Sequence, residues 1–210
     1  MSKEFILVRY RAGQRVNHWV GAIALVLLAL SGLSFFHPSL FFLTDLFGGG
    51  QMTRTIHPWI GVVMAVSFLG MLVRFARDNL WNRDDSAWMG QLGAVLAGDE
   101  EKLPEIGKYN AGQKLVFWLM ALGILLLLGT GLVAWDTYFF DATTIETKRW
   151  ALLLHAMGAV GIILVLIVHV YAAMWVKGSI RAMTDGTVTG GWAWRHHRKW
   201  LRAEVAKGGK

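Results

Sequence analysis

The sequence contains no cysteine among its 210 residues. The chain therefore cannot form disulfides, thiolate zinc sites or iron–sulfur clusters of its own, and it cannot carry a covalently attached c-type haem. Charge is also scarce, since charged residues make up 17% of the sequence and hydrophobic residues 55%. Soluble domains carry about 25% charged residues, so this composition argues against a soluble domain and still more against disorder.

The sequence contains long apolar runs that a soluble protein would not carry. A membrane-spanning helix needs about 20 mostly apolar residues, and the chain holds four such stretches, at about 17–37, 54–76, 113–136 and 149–176. In lipid each stretch must be helical, because a helix satisfies its own backbone hydrogen bonds. We therefore predict an all-α integral membrane four-helix bundle. A single domain would cover residues 1–210, with a loop at 77–112 and a basic tail at 177–210.

Positive charge separates the connecting segments into two groups. The N-terminal segment, the middle loop and the tail hold 18 of the 21 lysines and arginines, and the other two loops hold three. Cytoplasmic segments carry the excess of Lys and Arg, so both termini are predicted to be cytoplasmic. The net charge of +7 then reflects topology rather than nucleic-acid binding. An anionic lipid such as cardiolipin is a candidate partner for the basic edges.

Four histidines lie within or at the ends of the predicted spans. His155 and His169 are fourteen residues apart in span four, which is about 21 Å of helix rise and returns nearly to the same face. The topology gives each a partner at its own depth: His18 for His169 near the cytoplasmic surface, and His57 for His155 near the outer surface. Two stacked histidine pairs in a four-helix bundle predict two bis-histidine b-type haems.

Small and basic residues near these histidines suit haem. Gly21, Gly61 and Gly158 each follow a predicted ligand by three or four residues and would let a flat macrocycle approach, although small residues also permit close helix packing. Haem propionates need cations near the membrane surfaces. Candidate cations are Arg15 and Lys177 on the inner side, and Arg54, Lys148 and Arg149 on the outer side.

Other uses of membrane histidines fit less well. A metal transporter or a proton relay would want carboxylates along its path, and the apolar runs of spans one, three and four, at 19–36, 115–135 and 150–176, contain no Asp or Glu. A haem-free membrane anchor or metal transporter stays open as the distant alternative. His37 is interpreted as an interfacial residue, and His196 and His197 as solvated or partner-facing residues of the tail.

Seven stretches carry a family pattern. They are RYRAGQRVNHW (9–19), RTIHPWIGVVM (54–64), NLWNRDD (79–85), GKYNAGQK (107–114), LLLHAMGAV (152–160), HVYAAMWVKGSIRAMTDG (169–186) and GWAWRHHRKW (191–200). The motif at 15–19 is shared by related b-type cytochromes, whereas the C-terminal run is distinctive. Over nearly its whole length the chain resembles the membrane cytochrome b (gamma) subunits of respiratory formate dehydrogenases.

The resemblance implies an electron-transfer and quinone-reducing subunit in a bacterial inner membrane. A separate molybdenum- or tungsten-containing alpha subunit would oxidise formate, and a periplasmic iron–sulfur beta subunit would pass electrons to this chain. The chain would deliver them across the membrane to menaquinone or ubiquinone near the cytoplasmic face. The family's quinone pocket maps onto Asn110, Gly112, Gln113 and His169. A cytochrome b subunit of a hydrogenase or of another periplasmic dehydrogenase is the alternative.

Overall fold

The computed structural model describes residues 5–99 and 102–208, so the chain ends of the predicted domain, residues 1–4 and 209–210, lie outside it. Helices dominate the described residues. The elements in chain order are β1 (Ile6–Val8), α1 (Ala12–Phe36), a 3-10 helix (Pro38–Phe47), α2 (Gly50–Phe75), a 3-10 turn (Arg77–Asn79), α3 (Arg83–Met89), α4 (Leu92–Ala97), α5 (Ala111–Ala134), α6 (Asp136–Phe139), a 3-10 turn (Phe140–Ala142), α7 (Ile145–Trp175), α8 (Ser179–Thr184), β2 (Thr187–Thr189), α9 (Gly190–His196) and α10 (Arg198–Gly208).

The four long helices α1, α2, α5 and α7 coincide with the four predicted spans. They are 24 to 31 residues long with mean hydropathies of 1.9 to 2.7, which suits a bilayer crossing. Each helix begins a few residues before its apolar run does. The polar residues that precede each run are helical too, although they lie outside the part that would cross the membrane core. The prediction of a mostly helical protein with four candidate membrane-spanning helices is confirmed.

The chain divides into two compact units. The first, here called the helix unit, comprises Val16–Val73 and Leu119–Val168. The second, here called the terminal unit, comprises the described residues of Met1–Arg15, Arg74–Trp118 and His169–Lys210. The description of residues 1–210 as one membrane domain stays a prediction.

Within the helix unit, α1 packs on α2 and α5 packs on α7. A Cβ placed at Gly21 would lie 3.0 Å from the Ser67 hydroxyl oxygen, and one at Gly158 would lie 3.1 Å from a Leu126 methyl carbon. These two glycines therefore serve close helix packing, which was one of the two roles considered from the sequence. A Cβ at Gly61 would meet no described atom within 4 Å, so of these three glycines only Gly61 has open space for a flat ligand beside it.

The terminal unit joins the first and last parts of the described chain. Strands β1 and β2 pair in antiparallel register, with Leu7 opposite Val188. The backbone N–H of Arg9 donates to the carbonyl of Gly186 at 2.8 Å. Gly186 has a φ of +83°, and a Cβ there would also collide with the Arg15 guanidinium. This turn therefore requires glycine.

The middle loop contains the short helices α3 and α4, and a buried ion pair fastens it to the start of α5. Lys114 Nζ donates to the Asp85 carboxylate at 2.7 Å and to the carbonyl of Leu80 at 2.9 Å. The two charged side chains are only 4% and 2% exposed. A cation in the first turn of a helix opposes the helix dipole, so the Asp85 carboxylate offsets both this repulsion and the loss of hydration.

His197 is buried, so its interpretation as a solvated or partner-facing residue is wrong. Its Nδ1 donates to the carbonyl of Gly107 at 2.8 Å, and the Arg9 guanidinium donates to its Nε2 at 3.2 Å. Burial and the Arg9 charge lower the pKa of His197 well below its usual 6.5. The Arg9 partner comes from 188 residues away in sequence, and the local pattern RHHRK gives no sign of it.

We expect the terminal unit to lose stability as the pH falls below 6.5. Because the pKa of His197 is lower in the folded chain than in the unfolded chain, the unfolded state binds the extra proton, and stability drops until the folded pKa is passed. Protonation would also remove the acceptor for Arg9 and add a second cation beside it. Hydrogen exchange of the α9 amides between about pH 7.5 and 5 measures this loss.

The variant His197→Gln is the control for this pH dependence. Glutamine can donate and accept hydrogen bonds as the neutral imidazole does, but it does not titrate. A smaller loss of protection at low pH in His197→Gln supports the assignment. An equal loss in both proteins would show that another group is responsible.

Candidate haem centre

His57 of α2 and His155 of α7 lie side by side in the helix unit. Their ring centres are 6.3 Å apart and their planes are inclined at 66°. Two imidazoles on opposite sides of one metal ion have centres about 6.4 Å apart, because each metal–nitrogen bond is about 2.1 Å long. Helix depth alone suggested this pair, and the structure brings the two rings to the separation of two axial ligands.

Both rings are held at Nδ1 by a hydroxyl group. Ser31 Oγ lies 2.7 Å from His57 Nδ1, and Thr130 Oγ1 lies 2.9 Å from His155 Nδ1. Each hydroxyl also lies 2.7 Å from the carbonyl oxygen four residues earlier in its own helix. A hydroxyl has one proton and a carbonyl can only accept, so we assign the hydroxyl proton to the carbonyl and the remaining contact to an imidazole N–H that donates to the hydroxyl oxygen. Each histidine therefore keeps the Nε2 lone pair for a metal.

A glycine follows each of these hydroxyl residues and leaves room for the neighbouring ring. A Cβ placed at Gly32 would lie 3.6 Å from His57 Cε1, an ordinary contact. A Cβ placed at Gly131 would lie 3.3 Å from His155 Cε1, which is tighter than ordinary packing. The glycine at 131 therefore lets the imidazole edge approach the backbone of α5.

Substitution of each glycine by alanine gives a matched pair of variants with different expected results. We expect Gly131→Ala to displace His155 and to reduce the haem bound at this site, because the new methyl group presses on Cε1, the carbon between the two ring nitrogens. Gly32→Ala should leave haem content near that of the parent chain. Absorbance spectra of the two purified variants measure the difference, and equal loss of haem from both would contradict it.

The surroundings of the pair also fit haem. Two imidazoles suffice for haem iron, because the macrocycle brings the other four ligands. In the most apolar window of each long helix only 11–28% of residues are buried against protein. Apolar helix surface of this extent requires lipid or an apolar cofactor to cover it.

The second predicted pair involves α1 and α7. His18 is in α1 of the helix unit, beside Trp19, with ring centres 5.5 Å apart. His169 is in α7, within the part of the chain that belongs to the terminal unit. The pairing of His18 with His169 stays a prediction.

Three of the four predicted quinone residues, Asn110, Gly112 and Gln113, lie at the start of helix α5, and the fourth, His169, lies in α7. The Asn110 side-chain oxygen accepts the N–H of Gln113 at 2.8 Å, and the Gln113 side-chain oxygen accepts the N–H of Asn110 at 3.0 Å. This reciprocal capping occupies the amide oxygens and leaves the amide NH₂ groups as donors, which is what a quinone carbonyl needs. A Cβ at Gly112 would lie 3.3 Å from the Trp88 ring, so this glycine contacts the middle loop.

The basic side chains predicted to contact haem propionates differ in their contacts within the chain. The Arg15 guanidinium donates to the carbonyl of Asp185 at 2.8 Å, and the Arg54 guanidinium lies 5.5 Å from the centre of an aromatic ring of α1. Arg149 and Lys177 are exposed. Their role toward propionates stays a prediction.

Sequence reasoning missed Ser31 and Thr130. A signal was present, because each is a hydroxyl residue followed by glycine inside an otherwise apolar span. Such a residue is easily read as a helix-packing position, and the 25 or 26 residues that separate it from its histidine hide the contact.

Comparison with known proteins identifies cytochromes b as relatives of this chain. The family described as prokaryotic cytochrome b561 matches residues 9–186. The chain is 44% identical over 207 residues to the formate dehydrogenase cytochrome b556(fdo) subunit of Escherichia coli K12, covering 99% of this chain and 97% of the relative. It is 42% identical to the nitrate-inducible formate dehydrogenase cytochrome b556(Fdn) subunit of the same strain, covering 99% and 95%. It is 37% identical to the formate dehydrogenase cytochrome b556 subunit of Haemophilus influenzae, covering 98% and 86%.

Four helices long and apolar enough to cross a membrane, with two histidine rings close together between α2 and α7, suit a membrane cytochrome b. The chain belongs to the prokaryotic cytochrome b561 family, which implies b-type haem. Its resemblance to the cytochrome b subunits of formate dehydrogenases is confirmed over nearly its whole length.

Proposed function

We propose that this chain is the dihaem cytochrome b subunit of a formate dehydrogenase complex. It takes electrons from an iron–sulfur subunit on the periplasmic side of the inner membrane, and it passes them to menaquinone or ubiquinone near the cytoplasmic face. The observation that carries the proposal is the separation of 6.3 Å between the His57 and His155 rings. The names of the relatives, all cytochrome b subunits of formate dehydrogenases, support the choice of complex.

The two histidine pairs hold haem at two different depths of the membrane. His57 and His155 hold one haem toward the periplasm, and His18 and His169 hold the other toward the cytoplasm. Haem supplies a reversible one-electron carrier at each level. The apolar helix faces exclude water, and the excess of basic residues in three of the five non-spanning segments keeps both termini in the cytoplasm.

Quinone binds at the start of α5. The amide NH₂ groups of Asn110 and Gln113 donate to a quinone carbonyl, while the amide oxygens maintain the helix cap. The start of α5 lies at the cytoplasmic end of its span in this topology, so protons for the quinol come from the cytoplasm.

Asn110→Asp separates the two roles of this side chain. Aspartate keeps the capping oxygen but loses the NH₂ donor, so we expect haem to load normally. Oxidation of the reduced haem by a quinone analogue should slow roughly tenfold, because the free energy of about one hydrogen bond corresponds to a factor of about ten. Stopped-flow spectroscopy of the prereduced chain measures this rate. Asn82→Asp makes the same substitution at the cap of α3, where Asn82 accepts backbone N–H groups, and should leave the rate unchanged. Equal rates in Asn110→Asp and the parent chain would contradict the assignment.

The substrate that reduces the haem shows whether this chain belongs to a formate dehydrogenase or to a hydrogenase. The chain is purified from its native membranes with whatever subunits accompany it, and formate or hydrogen is added anaerobically. Formate should reduce the b-type haem, and iron–sulfur and molybdenum or tungsten subunits should copurify. Reduction by hydrogen alone would instead assign the chain to a hydrogenase. A preparation without haem would favour the alternative of a haem-free membrane anchor or metal transporter.

A further inference from the structure

The two hydroxyl groups that contact the histidines have the same local construction. Ser31 of α1 holds His57 of the next helix, α2, and Thr130 of α5 holds His155 of α7. In both cases the hydroxyl proton is directed to the helix carbonyl four residues earlier, at 2.7 Å. Each helix pair therefore brings its own imidazole together with the oxygen that fixes it.

We propose that Ser31 and Thr130 are positioning residues that fix the orientation of His57 and His155 and would lower the reduction potential of a haem that these two histidines hold. This inference rests on the proposed function, because it requires haem at His57 and His155. The residues act through the imidazoles and do not themselves touch the iron.

Orientation follows from the hydrogen-bond geometry. Ser31 is fully buried and Thr130 is 9% exposed, so water cannot readily replace either hydroxyl as an acceptor. An imidazole held at Nδ1 cannot flip without leaving a buried N–H unsatisfied, which costs about 1–3 kcal/mol. The ring planes are thereby held with Nε2 available to the metal.

The direction of the redox effect follows from the same contact. Accepting the Nδ1 proton increases the basicity of the imidazole toward a bound metal. A hydroxyl that donates its own proton to a carbonyl is a better acceptor than an isolated one, because chained hydrogen bonds polarise each other. A more basic ligand favours the oxidised iron, so removal of the hydroxyl should raise the potential.

A series at position 130 separates the hydroxyl from the methyl group of threonine. Thr130→Val keeps the shape and loses the hydroxyl, whereas Thr130→Ser keeps the hydroxyl and loses the methyl group. We expect Thr130→Val to shift the equilibrium toward the reduced haem by up to about tenfold, or 59 mV for a one-electron couple. Thr130→Ser should stay near the parent value, and Ser31→Ala should shift in the same direction as Thr130→Val. Spectroelectrochemistry of the full-length chain measures both haem potentials.

Two buried hydroxyl residues provide controls. Ser34 donates to the carbonyl of Ser31 at 2.6 Å, and Thr53 donates to the carbonyl of Gly49 at 2.9 Å. Ser34→Ala and Thr53→Val remove a buried hydroxyl from α1 and α2 without removing the groups that contact the imidazoles. Neither should change the potential as Thr130→Val does.

The outcomes separate this inference from the proposed function. Loss of haem in Thr130→Val but not in Thr130→Ser would support positioning by the hydroxyl. Unchanged potentials in both Thr130→Val and Ser31→Ala, or equal loss of haem in the Val and Ser variants, would overturn the inference but not the proposed function, provided that the parent chain binds haem at His57 and His155. A parent chain that binds no haem at His57 and His155 would instead overturn the proposed function.

Discussion

Replacing His57 or His155 with alanine is expected to remove one of two haems from the chain and to leave the other in place. Each histidine supplies one of the two protein ligands at its site, and their rings lie 6.3 Å apart. The remaining imidazole alone would leave the iron without its second axial nitrogen. Haem content should therefore fall to about half of the parent value in either variant, because the other site uses a separate pair of ligands.

His37→Ala is the control for these variants. His37 lies at the start of the 3-10 helix Pro38–Phe47, where its Nδ1 accepts the backbone N–H of Ser39 at 3.2 Å. Losing this cap should leave both haems bound. Loss of a haem from His37→Ala, or full haem content in His57→Ala, would contradict the assignment.

The complementary variants test the second pair. His18→Ala and His169→Ala should both remove the haem that survives in His57→Ala, and the remaining spectrum should be that of the His57–His155 site. If His18→Ala and His169→Ala remove different haems, the pairing inferred from depth is wrong.

The second large effect is expected at the ion pair that fastens the middle loop. Removing one partner of a buried ion pair destabilises a protein by about 3–5 kcal/mol, because the other charge stays buried without compensation. Asp85→Ala should therefore destabilise the start of α5, where Lys114 is 3% exposed. Hydrogen exchange of the first amides of α5 measures the free energy of local opening.

The neighbouring aspartate offers a matched control. Asp84 pairs with Lys199 at 2.6 Å, but these side chains are 37% and 47% exposed. Pairs of this kind contribute less than about 1 kcal/mol, so Asp84→Ala should have a small effect. The double variant Asp85→Asn with Lys114→Met should recover much of the loss, because it leaves no buried charge. Equal destabilisation by Asp84→Ala and Asp85→Ala would contradict this account.

The sequence predicted the features that depend on local composition and helix geometry. Apolar runs located all four long helices, since length and hydropathy determine which segments can cross a bilayer. The same reasoning placed His57 and His155 at one depth, because each lies near the outer end of its span. The structure then brings their rings to 6.3 Å.

Contacts between distant segments could not be predicted in this way. The pairing of Leu7 with Val188 involves strands of three residues, too short to show a periodic pattern. The burial of His197 depends on Arg9, 188 residues away. The hydroxyl–glycine pairs at Ser31 and Thr130 are equally typical of helix packing, so the contact of each hydroxyl with a histidine became visible only in the structure.

The central claim is that this chain holds two haems between paired histidines. A pyridine haemochrome spectrum of the purified chain, with haem quantified per protein, tests it directly. The account predicts two b-type haems per chain. One haem per chain would show that one histidine pair is misassigned, and a well-folded chain without haem would contradict the cytochrome function altogether.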